Sequence, residues 1–119
     1  HARDDERIFL VGDLAGPVSP LFGSYPKSGH MAAALGRIAA AEIAARAQGK
    51  APPALLPESL CHVHTSFEPP ETTRFEAGYR LRGDGLVVQN SRQEHDPNPR
   101  DEDLRWAKAQ FADFLAYRE

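Results

Sequence analysis

The chain has 119 residues, enough for one small domain or for a piece of a larger one. Its net charge is −3, with both signs spread along the sequence, so no basic block marks it for nucleic acid. No apolar run is long enough to span a bilayer, no secretory signal opens the chain, and a single cysteine excludes an internal disulfide.

The first residues, His1 to Arg7, are mostly charged and contain no methionine. An apolar run, Ile8-Phe9-Leu10-Val11, then climbs to Gly12-Asp13. Such a run reads as a buried strand of a parallel sheet. Gly12 permits close backbone approach, and Asp13 falls at the carboxyl end of the strand, where open α/β sheets bind ligands. The strand has no sheet of its own to join, so the chain reads as a fragment that lacks its N-terminal portion.

Leu14 to Tyr25 is a loop marked by Pro17, Pro20 and Gly23. Its apolar members Val18, Leu21, Phe22 and Tyr25 predict that it packs on something. Ser28 is a helix N-cap, and Gly29 to Gln48 reads as an alanine-rich helix with Met31, Leu35, Ile38 and Ile43 near helical spacing. Gly49 and Pro52-Pro53 end it. After a proline-rich connection, Leu60 to Phe67 alternates as a strand, with Cys61, Val63 and Thr65 on one face and Leu60, His62 and His64 on the other. Pro69-Pro70 ends that strand. Thr73 to Arg82 and Leu86 to Gln89 read as a hairpin about Gly83-Asp84-Gly85. Asn90 to Arg100 is read as a loop. A last helix from about Asp101 to Tyr117 carries an apolar stripe of Leu104, Ala107, Phe111, Phe114 and Leu115, predicted to be buried.

The order predicts an α+β fold. Residues 1–50 would hold one strand, a loop and a helix, and residues 51–119 antiparallel strands and a C-terminal helix.

Asp13 alone reads as a solvated turn. Beside Pro26-Lys27-Ser28-Gly29 it reads as an acceptor for the hydroxyls of a nucleotide's sugar or ribityl chain. The positive end of the helix, with its backbone N–H groups, would then favour negative charge on a reduced flavin ring. Lys27 adds a point charge or lies on the surface, and Pro26 stiffens the approach. Cys61 reads as a small core residue, because a reactive thiol needs electropositive and accessible surroundings. His62 and His64 point away from it. No metal site is expected, since no second cysteine or paired helical histidines accompany these residues. His30 reads as a surface or cap residue, and Tyr79 and Trp106 as packing residues.

From Ile8 to His64 the pattern resembles the flavoprotein subunit of flavocytochrome c sulfide dehydrogenases, within the two-dinucleotide-domain flavin reductases. The matching pieces are Ile8 to Asp13, Pro26 to Gly29, the alanine-rich helix containing Gly36, and Leu60-Cys61. The resemblance implies that residues 1–50 are the C-terminal end of a FAD-binding, Rossmann-like domain and residues 51–119 a flavin-binding/interface domain. It implies FAD as cofactor, with Gly12 and Asp13 at its ribityl or phosphate region and Pro26, Lys27, Ser28 and Gly29 by the isoalloxazine ring. It implies that Cys61 is one half of a redox-active disulfide attacked by a small sulfur substrate, sulfide. Electrons would pass to a c-type cytochrome subunit, in the periplasm.

Two departures stand out: the loop from Asp13 to Pro26 is long, and neither a Gly-x-Gly-x-x-Gly turn nor a second cysteine is present. Both would lie in the N-terminal portion, so the fragment alone is expected to be inactive. The alternatives are a fragment of a sulfide:quinone or NADH-type flavin oxidoreductase, or a non-catalytic interaction module.

Overall fold

A computed structural model of the chain describes residues 1–116. It is an α+β fold with a three-stranded antiparallel sheet and two helices. The strands are β1 (Glu58–Phe67), β2 (Pro70–Leu81) and β3 (Val87–Asp96), in the order β1-β2-β3. The helices are α1 (Gly29–Ala47) and α2 (Glu102–Leu115), and a single 3-10 turn covers Gly12–Leu14. Nothing in this arrangement supports a Rossmann-like fragment.

The chain divides into two compact units. The first holds His1–Ser59 and Ala77–Asn90; the second holds Leu60–Glu76 and the described residues from Ser91 onward.

In the first unit, α1 begins where Ser28 leaves the extended region and its Oγ accepts the Met31 N–H at 3.4 Å. That contact satisfies one of the donors that helix geometry leaves over in the first turn. Gly49 stops the helix at φ +66. Its N–H reaches the Arg46 carbonyl at 3.0 Å, and the Lys50 N–H reaches that of Ala45 at 2.9 Å. This left-handed exit is open to glycine at little cost. Met31, on the first turn, is the one fully buried apolar side chain among the described residues. Ile43, placed on the packing face by its spacing, is half exposed.

The strand predicted at Ile8–Val11 does not form. Val11 is extended, but no sheet partner reaches this segment, and Ile8, Leu10 and Val11 stay substantially exposed. The segment is tied to α1 instead: the Phe9 ring lies 5.6 Å from the Arg46 guanidinium. The Gly12–Leu14 turn also packs on α1. Extended backbone becomes a strand only when a neighbour supplies its hydrogen bonds, and the three-stranded sheet lies elsewhere in the chain.

The loop that follows does pack, in part. Ser19 is buried and bridges to Gly23, with the Gly23 N–H donating to the Ser19 carbonyl at 2.7 Å. Phe22 and Tyr25 gather on Tyr79 of β2, with ring centroids 5.3 and 4.7 Å away. Leu21 is left exposed. The hairpin turn closes as its residues predict. The Arg82 N–H donates to the Leu86 carbonyl at 2.8 Å, Gly85 sits at φ +85, and the Asp84 carboxylate accepts from both the Arg82 guanidinium and the Leu86 N–H.

The second unit corrects two expectations. The segment from Asn90 to Asp96, read as loop, continues β3. Its residues are polar and mostly exposed, so no apolar alternation marks it. It is held by pairing with β2, and His95 stands within 3.3 Å of the buried Thr73 hydroxyl and 3.4 Å of the Glu71 carboxylate. On α2 the predicted buried stripe is open: Leu104, Phe111, Phe114 and Leu115 are all more than half exposed. The helix meets β1 through another face. Asp103 pairs with His64 at 3.0 Å, and the Trp106 ring stands 5.9 Å from that of His62. Tyr117, placed in this helix from the sequence, lies outside the described residues.

Candidate functional site

Two segments that the sequence separates by a dozen residues meet in the first unit. Gly12 lies at φ +64, a conformation that side chains disfavour. A Cβ built there would stand 3.1 Å from the Ala32 Cβ and 3.7 Å from its Cα. The small residue on each side lets the Gly12 backbone seat directly on the first turns of α1. Lys27 adds a tie, because its Nζ donates to the Asp13 carbonyl. The Gly12-Asp13 turn and the Pro26–Gly29 segment therefore form one locus.

Within it the Asp13 side chain is exposed, as are Pro26, Lys27 and Gly29, while Gly12 and Ser28 are partly covered. Lys27 spends its ammonium on the Asp13 main chain, which makes it a brace for the turn rather than a free point charge. Ser28 caps α1, whose nineteen residues give its N-terminus a concentrated partial positive charge.

His30 belongs to the same locus, and sequence reasoning missed its part in it. Its Nδ1 stands 3.3 Å from the Ser28 Oγ and its Nε2 3.3 Å from the Ser59 Oγ. Burial holds the imidazole below its ordinary pKa, so the ring is neutral at neutral pH. Ser59 is itself buried, at 8% exposure, and lies at the start of β1. A partner 29 positions away leaves no local mark in a sequence.

The aromatic cluster is the first unit's other concentrated feature. Burial raises the pKa of both Tyr25 and Tyr79, with the neighbouring Tyr79 adding to the effect at Tyr25. The Tyr79 hydroxyl is buried and meets no hydrogen-bond partner among the described residues. Beside it, Ala54, Leu55, Leu56, Arg80 and Leu81 line an open, largely apolar depression.

Cys61 belongs to the second unit, as a free and partly buried thiol. His62 and His64 meet α2, on the strand face opposite to the one that alternation assigns to Cys61. Among the described residues no three His, Cys, Asp or Glu side chains are placed to hold a metal ion. No described helix is long and apolar enough to cross a membrane. Compared with family models, curated proteins and solved structures, the chain matches none of them.

Proposed function

We propose that the chain is the flavin-edge segment of a FAD-dependent oxidoreductase, of the sulfide dehydrogenase type that its sequence resembles. One observation carries the reading: the Gly12-Asp13 turn and the capped N-terminus of α1 are seated together, by the Gly12–Ala32 contact and the Lys27–Asp13 hydrogen bond.

The donor set suits such a ligand. An exposed carboxylate at Asp13 accepts from sugar or ribityl hydroxyls. The Ser28–Gly29 tip of α1 offers backbone N–H groups and positive potential to an anionic ring edge. Gly12 keeps the turn low on the helix, and Pro26 and Lys27 hold its approach rigid. These 119 residues hold no Gly-x-Gly-x-x-Gly turn, and the reading requires a pyrophosphate grip and a second cysteine from another segment.

Cys61 forms half of a disulfide with a cysteine from that other segment. Hydrosulfide attacks one sulfur of the pair; a new S–S bond forms, the old one breaks, and a cysteine leaves as thiolate. Bound FAD would supply the change from two-electron to one-electron chemistry, with a c-type cytochrome in the periplasm as acceptor. A quinone is the alternative acceptor.

Purification of the full-length natural protein tests this. It carries FAD, and Cys61→Ser keeps the flavin absorbance but loses its bleaching by sulfide. Undiminished bleaching in that variant removes Cys61 from the mechanism.

A second reading has one observation in its favour. The open apolar face of α2, with Phe111 at 70% exposure, suits a non-catalytic module that docks on a partner.

A further inference from the structure

Strand β3 closes one side of the sheet, and no described strand pairs with its outer edge. Its register on β2 fixes which of its groups face outward. At the turn the Arg82 N–H donates to the Leu86 carbonyl, so these two residues form a hydrogen-bonded pair. Continued along the strands, this register sets Thr73 opposite His95, and the Thr73 Oγ1 lies 3.3 Å from the His95 Nδ1. The pairing is therefore unslipped to its far end. In an antiparallel ladder hydrogen-bonded pairs alternate with non-hydrogen-bonded ones. Arg92 and Glu94 thus spend their main-chain groups on β2, while the N–H and C=O groups of Ser91, Gln93 and His95 point to the open edge. All five residues lie in the second unit.

The side chains along this edge alternate in charge. Arg92 and Glu94 share one face of the strand, both more than half exposed, with guanidinium and carboxylate 3.0 Å apart. The same register sets Glu76 opposite Arg92 and Arg74 opposite Glu94, and Arg74 also pairs with Glu76. The four charges form a checkerboard. A second β3, laid antiparallel along the open edge about a two-fold axis at Gln93, continues it. Arg92 then falls opposite the partner's Glu94, and Glu94 opposite the partner's Arg92. The outward main-chain groups pair Gln93 with the partner's Gln93 and Ser91 with the partner's His95. Arg92 and Glu94 occupy the non-hydrogen-bonded pairs, where facing side chains stand closest. A slip of two residues in either direction sets arginine against arginine or glutamate against glutamate, so the pattern also rejects the neighbouring registers. A row of like charges would guard the edge against pairing, whereas these alternate in sign and attract a two-fold copy. The other outer strand, β1, has neither carboxylate nor guanidinium from Ser59 to Phe67.

We propose that the open edge of β3 is a self-association surface: two copies of this chain pair residues Ser91 to His95 antiparallel about Gln93 and join their sheets into one. The proposal does not depend on the flavin reading.

Sedimentation velocity of the full-length natural protein over a range of concentrations tests it. The wild type forms a dimer. Arg92→Glu and Glu94→Arg each place like charges in both symmetry-related pairs and raise the dimer dissociation constant at least about tenfold. Mixed in equal amounts, the two variants restore the dimer, because two acidic side chains on one copy then face two basic ones on the other. Gln93→Pro removes an outward N–H that the monomer does not use; it abolishes the dimer and serves where a charge variant does not fold. A wild type that stays monomeric at about 100 µM overturns the proposal. So does a dimer that survives all three substitutions, which another surface such as the exposed face of α2 then holds. A mixture of Arg92→Glu and Glu94→Arg that remains monomeric overturns it as well.

Discussion

Replacing Gly12 with alanine perturbs the proposed site at its tightest point. Two terms oppose the new methyl group. An L-residue at φ +64 costs about 1–2 kcal/mol relative to glycine. The added Cβ would meet the Ala32 Cβ at 3.1 Å, well inside the roughly 3.5–4.0 Å of a comfortable carbon contact. Relief requires the turn to lift from α1 by a few tenths of an ångström, at a cost of about 1 kcal/mol. The stiffer unfolded chain returns about 0.4–1 kcal/mol. The net loss is about 1–3 kcal/mol, or about 4 °C or more in Tm for each kcal/mol, read by urea or thermal unfolding. The mechanism also predicts a coupling. In Gly12→Ala with Ala32→Gly the contact term disappears and the backbone term remains, so the cycle is non-additive by about 1 kcal/mol. Gly16→Ala is the control, because nothing lies within 4 Å of its built Cβ and its φ is not positive; it meets neither opposing term and keeps only the gain of about 0.4–1 kcal/mol from the stiffer unfolded chain. A Gly12→Ala variant as stable as the wild type, or a strictly additive cycle, refutes the seating of the turn on the helix.

Gly36→Ala works in the opposite direction: it lies inside α1 with open space at its Cβ, so the substitution raises stability by about 0.5–1 kcal/mol in the same unfolding assay. Tyr79→Phe keeps the rings stacked against Phe22 and Tyr25 and removes a buried hydroxyl without a partner, so stability rises or holds; a loss above about 1 kcal/mol would show that the hydroxyl is satisfied. The pH dependence follows from His30. Its pKa in the folded chain lies below the ordinary 6.5, so the unfolded state takes up the proton first. Its contribution to stability is complete above about pH 6.5 and is lost as pH falls through the lower folded value. His30→Gln flattens that part of the profile, and an unchanged acid limb would place the titration on another group.

Several elements were legible because their signals are local. Ser28, the alanine run and Gly49 mark α1 from cap to exit, and Gly83-Asp84-Gly85 between two alternating runs marks the β2–β3 hairpin. The alternation of Leu60, His62 and His64 correctly placed both histidines on one face, where α2 meets them. The failures were non-local. Ile8 to Val11 has strand composition, but composition supplies no neighbour to pair with. Asn90 to Asp96 has no apolar period, and only its pairing with β2 makes it a strand. On α2 the apolar stripe is real in the sequence, yet the contacts that dock the helix are an ion pair from Asp103 and a ring contact from Trp106. Of the candidate site, the sequence named Gly12, Asp13 and Pro26 to Gly29, which lie together in the first unit, whereas the contact between His30 and Ser59 joins residues 29 positions apart.

The absorption spectrum of the purified full-length natural protein tests the central claim most directly. The account predicts a flavin band near stoichiometric occupancy that weakens in Asp13→Ala, where a charged acceptor worth about 1.5–3 kcal/mol is removed. A protein that shows no such band after expression with ample FAD, and takes up none when FAD is added, contradicts it.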